Sequence, residues 1–170
     1  MRRSKRVVFL AHCILNGNSK VMGLTLYGGA MKSVVNEHLN KGTGMIQLPC
    51  PETTFIGLRR WGMSKNQYDT ANYRRHCRNL LIPYVEQMKE YQSDGYILEG
   101  IIGIDGSPSC GVNYVSMGYK GGMIDEADKQ ASMLSEQAGQ GIYIEELKKL
   151  LNEYKIQVEF LAVDEKAQVE

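Results

Sequence analysis

Four cysteines stand at positions 13, 50, 77 and 110. They are too few and too scattered for a secreted disulfide framework, so each reads as a core thiol, a nucleophile or a metal ligand. Three of them lie in turn-forming surroundings. Cys13 opens into Ile14-Leu15-Asn16-Gly17, Cys50 is held between Pro49 and Pro51 with Glu52 close by, and Cys110 follows Gly106-Ser107-Pro108-Ser109 and precedes Gly111. Backbone N–H groups in the first loop can turn inward towards an anion. Glycines in the third permit a bulky partner to approach the backbone closely. Cys77 is different. It shares a stripe at helical spacing with Tyr73, Leu80, Leu81 and Tyr84, where a free cysteine acts as a small hydrophobe.

The elements that must position these thiols can be read from periodicity. Apolar runs at residues 6–12, 44–48, 96–104 and 156–163 suit buried strands, and apolar residues recur every three or four positions at 31–39, 73–91 and 142–154, as in helices. Pro83 is expected to kink or split the second helix. Between residues 114 and 141 the pattern is weak, with a short helix expected around 125–135; the stretch reads as a lid or a surface excursion. The charged end, 164–170, is expected to fray. Strands alternating with helices predict an α/β fold: a single domain over residues 1–170, with a mainly parallel sheet and helices on both faces, a Rossmann-like three-layer arrangement. Carboxyl ends of parallel strands lie along one edge of the sheet, where ligands bind. Cys13, Cys50 and Cys110 each follow a strand, so they are expected to converge. Cys77 is not.

Composition narrows the partners. The 170 residues are 43% hydrophobic and 23% charged, the balance of a globular domain. A net charge of +1 generates no field that would gather nucleic acid. There is no apolar run of the roughly twenty residues a membrane helix needs, and residues 7–11 are too short for a signal-peptide core. A cytoplasmic protein acting on a small molecule, with no membrane partner, is the expectation.

Ala11-His12-Cys13-Ile14-Leu15, Cys50-Pro51-Glu52 and Gly106-Ser107-Pro108-Ser109-Cys110-Gly111 resemble the three signature segments of the DUF523, or thiouracil desulfidase (TudS-like), family. The resemblance covers roughly residues 6–112 and marks a divergent branch, since residues 18–22 and 55–60 depart from the better-studied members. It implies an oxygen-sensitive [4Fe-4S] cluster on Cys13, Cys50 and Cys110 with one iron left open. The implied activity removes sulfur from 2-thiouracil or a related thio-substrate, giving hydrogen sulfide without net redox change.

Thiolates are soft donors suited to iron–sulfur clusters, and an open iron acts as a Lewis acid towards a soft thiocarbonyl sulfur. Such a scheme needs a proton-transfer group, for which Glu52 is the candidate. Ser107 and Ser109 are candidates to hydrogen-bond substrate or orient water, or else to close their own turn. Asn16 and Ser107 are the candidate substrate contacts. His12 is expected on the opposite side of the strand from Cys13. Arg59, Arg60, Arg74 and Arg75 read as solvated surface, and Trp61 and Tyr73 as core. The alternatives are a zinc site, which lacks the usual short Cys-x-x-Cys knuckle, a cysteine-nucleophile or persulfide sulfur-transfer enzyme, and a non-enzymatic ligand-binding domain.

Overall fold

Burial along the first strand alternates between two layers, and that alternation organises the molecule. In β1 (Arg6–Leu10), Val7 and Phe9 belong to one hydrophobic cluster and Val8 and Leu10 to another, as expected of a strand covered on both faces. The computed structural model describes residues 3–119, 121–123 and 132–168. After β1 come α1 (His12–Leu15), α2 (Lys32–Asn40), β2 (Gly44–Gln47), α3 (Pro51–Phe55) and α4 (Lys65–Tyr68). Then follow α5 (Ala71–Ser93), β3 (Ile97–Ile104), β4 (Tyr114–Met117), β5 (Ser135–Ala138), α6 (Ile142–Glu153) and β6 (Phe160–Val163).

The main sheet has four strands in the order β2-β1-β3-β6, all parallel. One face packs on α5 and α6 through residues such as Tyr73, Cys77, Leu81, Val85, Leu147 and Leu150. The other face buries Ile14, Met31 and Val34 against Val8, Leu10, Ile102 and Ile104. This is the three-layer α/β fold expected from the alternation of elements. Its chain order reverses between β1 and β3, and the crevice at such a reversal is where open parallel sheets hold ligands.

Several details depart from the expectations. Helix α5 runs unbroken from Ala71 to Ser93 with Pro83 inside it. Pro83 is exposed, and so is Asn79, whose carbonyl loses its helical partner to the proline ring; both sit on the wet side, where water can satisfy that carbonyl. Leu39 is 59% exposed although it shares the periodicity of α2, because Met31, Val34 and His38 carry the buried face. Strand β6 starts at Phe160, since Lys155 adopts a left-handed conformation (φ 56°) and Ile156 N–H turns back to Leu151 O. Beyond it the chain folds into a 3-10 turn, Glu165–Gln168, with Glu165 buried and ion-paired to Lys20. Of the terminus expected to fray, 164–170, Glu165 is held by this long-range partner, and residues 169–170 lie outside the described residues. The weak 114–141 region is clamped at both ends by the antiparallel pair β4–β5. Most of the short helix expected at 125–135 lies outside the described residues.

Helix α6 is docked on the loop that carries Cys110. Its first N–H groups find no partners within the helix. Ile142 N–H donates instead to Pro108 O (3.1 Å) and Tyr143 N–H to Ser109 O (3.0 Å), while Gly141 N–H donates to Gly111 O (2.9 Å). A methyl group on Gly141 would stand 2.2 Å from the carbonyl carbon and oxygen of Ser109. Gly141→Ala is therefore expected to destabilise the protein by about 1–3 kcal/mol through overpacking against backbone that cannot rotate away. Urea unfolding measures it, and a loss below about 0.5 kcal/mol would show that the contact relaxes freely.

Candidate functional site

Three loops from three strand ends meet at one cavity of about 540 Å3, and Cys13, Cys50 and Cys110 all line it. Cys13 sits in the single turn α1, its carbonyl accepting from the Tyr27 hydroxyl at 2.8 Å. Cys50 caps α3, with Pro51 in the first turn and its Sγ accepting from Thr53 N–H at 3.5 Å. Cys110 closes a tight turn in which its N–H donates to Ser107 Oγ (3.0 Å) and its carbonyl accepts from Ile104 N–H (3.0 Å). All four cysteines are free thiols. Cys77 is fully buried on the α5 face of the core and does not line the cavity.

The cavity thiols are close enough to oppose one another's ionisation. Burial pushes the Cys13 thiol up to about 12, with Glu165 adding to the effect. Burial likewise holds Cys110 well above the usual thiol range, and the sulfurs of Cys13 and Cys50 push it further. A nucleophilic cysteine needs the opposite environment, one that favours the thiolate. A coordinated cation supplies it by deprotonating the ligand outright. Among the described residues no three His, Cys, Asp or Glu side chains are grouped so that they could hold a metal ion. The three thiols line one cavity; a polynuclear cluster would place each thiolate on a separate iron, whereas a tetrahedral zinc ion would draw them together on Zn–S bonds of about 2.3 Å.

Behind the thiols runs a buried polar chain. Arg60 Nε donates to Glu52 Oε2 at 3.0 Å, and its two other nitrogens donate to Ser19 O (2.8 Å) and Gly57 O (3.2 Å). Ser109 Oγ donates to Glu52 Oε1 at 2.9 Å. Because its single proton is used there, the Tyr73 hydroxyl, 2.8 Å from Ser109 Oγ, must be the donor to serine. Each carboxylate oxygen of Glu52 thus receives a donor held by the core, and Glu52 itself lines the cavity.

The other site residues fall into place around this frame. Ser107 lines the cavity, and its Oγ accepts from the N–H groups of Ser109 (3.3 Å) and Cys110 (3.0 Å), so it closes its own turn while keeping a hydroxyl proton to donate. Ser109 is fully buried and absent from the cavity wall; it reaches the site only through Glu52, a correction to its reading as a residue that meets substrate. Asn16 also lies off the wall, its side-chain oxygen accepting from Asn18 at 3.0 Å, because α1 ends before it and turns the residue aside. Asp105 lines the cavity but holds the loop, accepting from the N–H groups of Val112 and Asn113.

Some functional neighbours escaped the sequence. His12, expected on the far side of the strand, lines the cavity with Nδ1 placed 3.3 Å from Leu48 O; the chain leaves β1 before it and enters a helical turn, so strand alternation no longer applies. Arg60, expected on the surface, is buried. Tyr73 is core as expected, yet carries the hydrogen bond to Ser109. Lys20, Glu165 and the β4–β5 hairpin also wall the cavity. Nothing in their local sequence signals it.

No family model matches the chain, and no solved structure matches it. Over 110 residues it is 42% identical to "Uncharacterized protein MJ0003" of Methanocaldococcus jannaschii, a match that covers 65% of this chain and 70% of that one. The chain belongs to that archaeal protein's family. The relative's printed name states no activity, so chemistry must be argued from the cavity. Among the described residues, no helix is long and apolar enough to cross a membrane.

Proposed function

We propose that this protein is an iron–sulfur-dependent desulfidase: it replaces the sulfur of a thiolated heterocycle such as 2-thiouracil with oxygen from water and releases hydrogen sulfide. The observation that carries this reading is the meeting of Cys13, Cys50 and Cys110 with Glu52 on one cavity wall. Cys13, Cys50 and Cys110 would hold a [4Fe-4S] cluster, a fit supported by three soft donors on the wall of one cavity. When bound, the cluster supplies a coordinatively open iron that polarises a soft thiocarbonyl sulfur.

The protein's own groups handle water and protons. Water adds to the thiocarbonyl carbon, a C–O bond forms, the C–S bond breaks, and no oxidant or reductant is consumed. Glu52 takes one proton from the attacking water and passes it to the leaving sulfur, and the second follows by the same route as the new C–OH becomes a carbonyl, so that hydrogen sulfide departs. Arg60 and Ser109 fix its carboxylate for that exchange, so Ser109 is a positioning residue, with Tyr73 behind it. Ser107 directs its free hydroxyl proton towards substrate. A protein with four free thiols and an oxygen-sensitive cluster suits the reducing cytoplasm.

Anaerobic purification with iron and labile-sulfide analysis tests the reading. Iron and sulfide near four per chain, with hydrogen sulfide formed from 2-thiouracil, is the expected result. Cys13→Ala, Cys50→Ala and Cys110→Ala should each lower iron content by at least about half, while Cys77→Ala retains it. A protein that stays free of iron after reconstitution overturns the proposal, as does loss of iron in Cys77→Ala alone.

A further inference from the structure

Cations on the cavity wall are already engaged by carboxylates of the same wall. Among the described residues lining it, Arg60 is paired with Glu52, Lys20 with Glu165, and Lys166 with Glu136. Asp105 and Asp164 line it too, so carboxylates outnumber ammonium and guanidinium groups there. Glu165 Oε1 is buried with no hydrogen-bond partner, an acceptor that would repel an incoming anion.

The lining points the same way. The cavity of about 540 Å3 is of the size that holds small-molecule ligands, and the cluster proposed on its three cysteines would share that space with the substrate. Val21, Leu24, Leu26, Met63 and Leu134 form much of its wall. Leu24 is 55% and Leu26 48% exposed, apolar surface that a bound molecule would cover. We infer that the cavity takes an uncharged thiolated heterocycle bearing an apolar substituent and discriminates against nucleotides. This rests on the desulfidase reading for its reactive end, and on the wall chemistry for everything else.

Three probes separate the two layers of the argument: 2-thiouracil, 6-propyl-2-thiouracil and 2-thiouridine 5′-monophosphate. With the cluster-loaded protein, kcat/KM for sulfide release from the propyl compound should exceed that from 2-thiouracil by about tenfold or more, as expected for burying three carbons. The nucleotide should fall at least about tenfold below 2-thiouracil, since it must displace an ion pair. Calorimetric affinities for the same compounds should follow the same order. Glu165→Gln, or Glu136→Gln on the more exposed pair, frees a lysine and should tighten nucleotide binding about fivefold. No sulfide from any probe, with the binding order kept, would remove the reaction and support the ligand class. Nucleotide bound or turned over as well as 2-thiouracil, or a propyl group bringing no gain, overturns the inference while leaving sulfide release intact.

Discussion

Glu52→Gln is expected to retain its iron and to lose hydrogen sulfide release by about 10²–10⁴-fold, the usual share of a general acid–base group. The substitution keeps shape and removes the proton shuttle. A glutamine oxygen can still accept from Arg60, and its amide can donate to Ser109, which would then turn its own proton towards Tyr73. The hydrogen-bonded frame around the cavity survives in reversed polarity. Iron content and sulfide release measured on one preparation decide the matter. Release within tenfold of the parent, at equal iron, would show that Glu52 is structural and that another group moves the proton.

Arg60→Met should destabilise the fold by about 3–5 kcal/mol, because it strands the Glu52 carboxylate in a buried position without its counter-charge. The side chains are 3% and 12% exposed, respectively, so water cannot replace the guanidinium. Methionine supplies similar volume, which isolates the charge effect from a cavity effect. The double variant Glu52→Leu/Arg60→Met should recover most of the loss, since a buried pair replaced by apolar groups is often neutral or better. Urea unfolding of the single and double variants closes the cycle. A single-variant loss under about 1 kcal/mol would mean that the pair contributes little to holding Glu52.

The convergence of Cys13, Cys50 and Cys110 was legible because it follows from local facts. Each cysteine follows a short apolar run, and parallel strands send their carboxyl ends to one edge. Cys77 was legible for the same kind of reason, its place in a helical stripe. Arg60 was not, because a buried cation is recognised by its partner, and Glu52 comes near only through the loop after α3. Glu165 is harder still: its partner Lys20 lies 145 positions earlier, so its own neighbourhood resembles any charged terminus. Strand β5, Ser135–Ala138, has an exposed, polar sequence with no strand periodicity; pairing with β4 alone defines it. Pro83 does not split the helix, because the orientation of one turn relative to solvent, which periodicity only approximates, decides whether a missing N–H ends it.

The packing around the Cys110 turn bears on how substitutions in this family should be interpreted. A methyl group on Gly103 would meet Cys110 O at 2.3 Å, one on Gly111 would meet Tyr114 O at 2.4 Å, and Gly141 is equally confined. None of the three can touch a reactant, yet side chains at any of them would shift the thiol at the turn. A saturation screen scored by turnover alone would rank these glycines beside the cysteines themselves. Pairing that screen with a second score for soluble, protease-resistant protein would distinguish the residues that build the turn from those that react within it.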